Sequence, residues 1–151
     1  MIHGNCLCGA IRFEFSKPAG PFELCHCHRC RKFTGSAFFS GLYVRPEDFR
    51  YVQGKELITT YEAPILREPP PYRASFCSRC GSPVPNDLSP QSRSGLIEIP
   101  AGLLDDDPGM RPDKHIFVEM KSPWFDITDD LPQLDLPGLI AMRTKKPAVD
   151  K

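Results

Sequence analysis

Seven cysteines, gathered in three groups, constrain this chain more than any other feature of its sequence. They read Cys6-Leu7-Cys8, Cys25-His26-Cys27-His28-Arg29-Cys30 and Cys77-Ser78-Arg79-Cys80-Gly81. Ligands two to four positions apart let a tight turn present two sulfurs to one ion, and zinc favours thiolates in a tetrahedral shell. Gly9 and Gly81 follow a cysteine directly, where a backbone free to take positive φ can approach the sulfur. Disulfides fit this pattern poorly, because seven is odd and a bridge inside Cys-x-Cys is strained. A thioredoxin-like role for Cys77-Ser78-Arg79-Cys80 needs a βαβ setting that the sequence lacks. The spacing of Cys25, Cys27 and Cys30 also differs from ferredoxin spacings.

A closed structural zinc takes four thiolates, whereas a catalytic zinc keeps three protein ligands and an open position. The two separated pairs sum to four and the compact run supplies three. Cys6, Cys8, Cys77 and Cys80 are therefore expected to close a structural site around a loop of about seventy residues, stabilising a small domain. Cys25, Cys27 and Cys30 are expected to form an open three-thiolate site. A closed Cys₃His shell using His26 or His28 is the alternative for that second centre.

The remaining sequence supports one small β domain. Seventeen prolines in 151 residues argue against long helices, since an interior proline costs about 3 kcal/mol. Two-residue alternation places Ile11, Phe13 and Phe15 on one face and Arg12, Glu14 and Ser16 on the other. Further strands are expected at 38–44, 49–52, 57–61, 96–99 and 115–118. Turn signals separate them at Pro46-Glu47-Asp48, Gln53-Gly54-Lys55 and Asp107-Pro108-Gly109. One helical turn is expected over Cys30–Gly35, and Pro69-Pro70-Pro71 reads as an extended loop. Periodicity fades after Pro132, so the domain is taken as residues 1–134 and residues 135–151 as a proline- and charge-rich tail. A formal net charge of zero argues against a nucleic-acid partner, which would call for a basic surface. No apolar run of about 18 residues is present, so no membrane partner is expected. With free thiols and no signal-peptide pattern, the expected location is cytoplasmic.

Four ordered blocks resemble the glutathione-dependent formaldehyde-activating enzyme family, which includes the centromere protein V relatives. They are Gly4-Asn5-Cys6-Leu7-Cys8-Gly9-Ala10-Ile11-Arg12-Phe13, then Cys25 through Phe38, then Phe76 through Pro83, and finally Ala101 through Asp106 with Arg111-Pro112, His115-Ile116 and Trp124. The resemblance spans roughly residues 3 to 134. It implies an all-β, Mss4-like fold of small antiparallel sheets stapled by zinc, with two zinc ions per chain. By the same resemblance Cys6, Cys8, Cys77 and Cys80 hold the structural ion and Cys25, Cys27 and Cys30 the catalytic one. The implied activity is condensation of formaldehyde with glutathione to S-hydroxymethylglutathione, a carbon–sulfur lyase reaction. Two departures stand out: the stretch from Glu62 to Tyr72 is longer than usual, and His28 replaces a small polar residue. Arg29, Arg31 and Lys32 are candidates to recognise the carboxylates of a small thiol such as glutathione. His26 and His28 are candidates to carry its proton, and Lys121, Trp124 and Phe125 are candidates to line a pocket. A non-catalytic zinc module and a thiol-adduct carrier are the alternative functions.

Overall fold

A computed structural model describes residues 1–62, 73–86 and 95–144. Its strands and helices run β1 (Ile2–Asn5), β2 (Arg12–Phe15), β3 (Phe22–Cys25), α1 (His28–Thr34), β4 (Phe39–Val44), β5 (Phe49–Gln53), β6 (Ile58–Glu62), β7 (Arg73–Cys77), β8 (Ile97–Pro100), β9 (Lys114–Ile116), β10 (Gln133–Leu134) and α2 (Leu136–Thr144). The class is all-β, with two short helices. The chain divides into two compact units, one of Met1–Phe22 with Ser40–Pro112 and one of Glu23–Phe39 with Asp113–Lys151.

The first unit is antiparallel throughout. β2 lies between β1 and β5, β4 pairs with β8, and β6 pairs with β7. Alternation in β2 builds its core: Ile11, Phe13 and Phe15 are buried and pack with neighbours that include Leu42, Val44, Ile97 and Ile99 in two apolar clusters. Complete burial of such a side chain contributes roughly 1.5–3 kcal/mol. Glu14 points to the opposite face as expected but is not solvated. Arg50 Nε donates to its carboxylate at 2.7 Å, so the ion pair covers it. Pro46-Glu47-Asp48 forms a 3₁₀ turn, and the Asp107 carboxylate accepts from the Gly109 amide at 2.8 Å. At Gly54 the backbone is left-handed (φ 76), and a β-carbon there would lie 2.1 Å from the Ala10 carbonyl oxygen. Only glycine fits that turn.

The second unit departs from the expected antiparallel pattern, because β9 runs parallel to both β3 and β10. β3 shows no alternation to read. All four of its residues are buried, with Glu23 held by Lys114 and Arg143 at 3.6 and 3.3 Å. α1 begins two residues before the expected turn, with Cys27 as its N-cap, and ends on Gly35 in a left-handed conformation. α2 lies where no element was expected. Asp135 caps it by accepting from the Gly138 amide at 2.8 Å, Pro137 sits in the first turn where its missing N–H costs nothing, and Leu139 is buried. The expected Pro69-Pro70-Pro71 loop, and Lys145-Lys146, lie outside the described residues.

Candidate metal centres

Cys6, Cys8, Cys77 and Cys80 come together within the first unit, their sulfurs all within 4.8 Å of one another. Two tight turns present them: the Gly9 amide donates to the Cys6 carbonyl and the Gly81 amide to the Cys77 carbonyl, each at 2.8 Å. Both glycines are left-handed, with φ of 71° and 76°. The Cys6–Cys8 and Cys8–Cys77 sulfur separations are 3.5 and 3.9 Å. A tetrahedral zinc with Zn–S near 2.3 Å needs sulfurs about 3.8 Å apart, so the donor set fits zinc and is far too wide for disulfides. Ser82 joins the two turns. Its hydroxyl accepts from the Leu7 amide at 2.9 Å and lies 3.4 Å from the Cys80 sulfur. The Ser82 hydroxyl, then its amide, hold the Cys80 thiol down to about 6, which favours the ligating thiolate.

Cys25, Cys27 and Cys30 meet within the second unit, again with all sulfurs within 4.8 Å. Cys25 ends β3, Cys27 caps α1 and Cys30 lies in its first turn; all three are buried. The Cys30 amide donates to the Cys27 sulfur at 3.3 Å. Cys27 is held well below the usual thiol range, first by Cys25 and Cys30 as donors and then by the Cys30 amide and the Arg29 charge. Its two partners are pushed up in turn, Cys25 chiefly by Cys27, and Cys30 by Cys25 and then Cys27. Three sulfurs gathered so closely are a site that a cation would complete. Among the described residues no histidine nitrogen or carboxylate oxygen joins either sulfur group.

The histidines therefore stand apart from the sulfurs. His28 is exposed on the first turn of α1. His26 is fully buried, and its Nε2 lies 2.8 Å from Nδ1 of buried His115, whose Nε2 lies 3.0 Å from the Asp129 carboxylate. Burial, then the charges of His115, Lys121 and Arg31, push His26 down to about 4, so the ring is neutral. Arg31 turns inward: Nη1 donates to Ser122 Oγ at 2.8 Å and Nε to the His26 carbonyl at 3.3 Å. Arg29 is half-buried and Lys32 exposed. Lys121 donates to the Ser122 and Phe125 carbonyls. Phe38 and Phe125 pack on the His26 ring at 5.4 and 5.9 Å between centroids, and Trp124 faces solvent. Ser82, Ser122, His115 and Asp129 were not singled out as site residues from the sequence. Ser82, directly after Cys-x-x-Cys-Gly, had a local signal; the other three are remote in sequence from the residues 25–31 segment they join.

Two cysteine clusters that could each hold a metal ion lie on an all-β frame, one a complete set of four donors and one of three. The family model described as "Glutathione-dependent formaldehyde-activating enzyme" matches residues 1–120, and the chain belongs to that family. A relative from Halomonas elongata, provisionally named a glutathione-dependent formaldehyde-activating enzyme, is 32% identical over 131 residues, covering 84% of this chain and 81% of its own. A crystal structure of a Rhodobacter sphaeroides protein is also similar, with 26% identity, a TM-score of 0.49, and coverage of 73% of this chain and 91% of its own. No helix among the described residues is long and apolar enough to cross a membrane.

Proposed function

We propose that the protein is a zinc-dependent carbon–sulfur lyase-like enzyme that joins formaldehyde to a small thiol, with glutathione the reference substrate. The observation that carries this reading is the three-sulfur centre, which has no fourth protein donor among the described residues, within a chain of the formaldehyde-activating family. A closed centre would favour a purely structural module. In the reaction the thiol sulfur bonds to the formaldehyde carbon, the carbonyl π bond opens, and the thiol proton ends on the new hydroxyl oxygen. Cys25, Cys27 and Cys30 would hold one zinc, and Cys6, Cys8, Cys77 and Cys80 another. Zinc in the three-thiolate set supplies Lewis acidity, and the anionic shell makes it a mild acid suited to thiols.

The surrounding residues would bind and orient. Arg29 and Lys32 on α1 offer cations for the substrate carboxylates, and Arg31 and Lys121 add positive charge beside the buried centre. Seven free cysteines suit the reducing cytoplasm. The test is titration of the metal-loaded protein with glutathione and with S-methylglutathione, following heat and proton release in two buffers. Glutathione should bind with release of a proton, and the capped analogue should bind far more weakly. Equal binding of both, or of neither, would sink the thiol-binding reading.

A further inference from the structure

Resting on the reading of Cys25, Cys27 and Cys30 as a metal centre, we propose that His115 and Asp129 are positioning residues for it, acting through His26. His26 sits between two of the three cysteines, so whatever holds it holds the segment that carries both sulfurs. It is pinned at three points. Its amide donates to the Ile116 carbonyl at 3.0 Å, its carbonyl accepts from Arg31 Nε at 3.3 Å, and its ring Nε2 meets His115 Nδ1 at 2.8 Å. The line continues from His115 Nε2 to the Asp129 carboxylate at 3.0 Å, and that carboxylate is itself fixed by the Leu131 amide at 2.9 Å. Both imidazoles are buried, at 0% and 1% exposure. A buried polar chain earns its place through specificity of geometry more than through stability.

The hydrogen bonds have a direction. An ionised Asp129 can only accept, so His115 donates to it from Nε2. His115 Nδ1 and His26 Nε2 share one proton between them. The other His26 ring nitrogen, Nδ1, is buried and makes no close hydrogen bond, with the Ala37 carbonyl facing the ring. Directly after His115 and Ile116 the chain turns at Phe117, the one non-glycine residue with positive φ (56°) among the described residues. Such a backbone is strained for a bulky residue and persists where the surroundings over-determine it.

The test uses the full chain, labelled with ¹⁵N-histidine and loaded with zinc for nuclear magnetic resonance, or with cobalt for absorption. Wild type should show His115 with a proton on Nε2 and His26 in a single tautomer. Asp129→Asn replaces a half-exposed side chain with an amide that both donates and accepts. The direction of the chain is then lost, and His26 should populate a second tautomer. Cobalt affinity at the three-cysteine centre should fall about tenfold or more with a changed sulfur-to-cobalt band, while the four-cysteine centre and the melting temperature stay near wild type. Unchanged affinity and spectrum in the variant, weakening of both centres together, or two His26 tautomers in wild type would each overturn the proposal. A wild-type chain that takes up a single cobalt ion would instead remove the reading of the centre itself.

Discussion

Asp129 shows how one exposed side chain can be set by what lies behind it. The Leu131 amide, then the His115 ring, hold its carboxyl below the usual carboxylate range. The unfolded chain therefore takes up this proton at a higher pH than the folded one. The carboxylate's contribution to stability is complete above the ordinary aspartate value, near 3.9, and is lost as pH falls through its lowered folded value. Carbon-13 detection of the Asp129 carboxyl should give a midpoint below that of an unfolded-chain aspartate. A midpoint at or above the ordinary value would mean that these hydrogen bonds do not form in solution.

Elements were legible where burial falls on one face and obscure where it does not. β2 declared itself through Ile11, Phe13 and Phe15, whereas β3, buried along its whole length, has no period to read. Helix α2 lay within the stretch taken as a proline- and charge-rich tail, although Pro137 occupies its first turn, where proline is welcome. Removing its cap with Asp135→Ala should cost about 1 kcal/mol, measured as a lowered urea midpoint at constant slope. Gly54→Ala should cost more, because the added carbon meets the Ala10 carbonyl and the backbone is left-handed; a loss of several kcal/mol is expected. A Gly54→Ala chain as stable as wild type would show that this turn adopts another conformation.

Across the molecule, the cysteine partition was readable because metal ligation leaves a local spacing code, and both groups assemble as that code implied. What holds the second group in place was not readable. His115 and Asp129 lie some ninety to a hundred residues beyond His26, and Ser122 is equally remote from Arg31. Only the fold brings them together. The two groups should also differ in their effect on stability. Cys8 and Cys77 are 69 residues apart, so Cys6→Ser or Cys77→Ser should release one zinc and lower the melting temperature sharply, since that binding energy is folding energy. Cys27→Ser should release the other zinc with a much smaller change, because its three ligands lie within six residues. Metal analysis beside thermal melts checks both, and comparable unfolding of the two variants would mark both centres as structural.

Trp124 is the single tryptophan of the chain and is 71% exposed, which has an optical consequence. An indole already in water emits near its long-wavelength limit, so unfolding can shift its maximum little. Intrinsic fluorescence will be a poor thermometer of this protein's folding. The same indole stands three positions from Lys121 and edge-on to Phe125 at 6.2 Å between centroids. A thiol or its adduct settling beside those residues would exclude water from one ring face and blue-shift or quench the emission. The lamp that is nearly blind to unfolding is thereby left free to report occupancy.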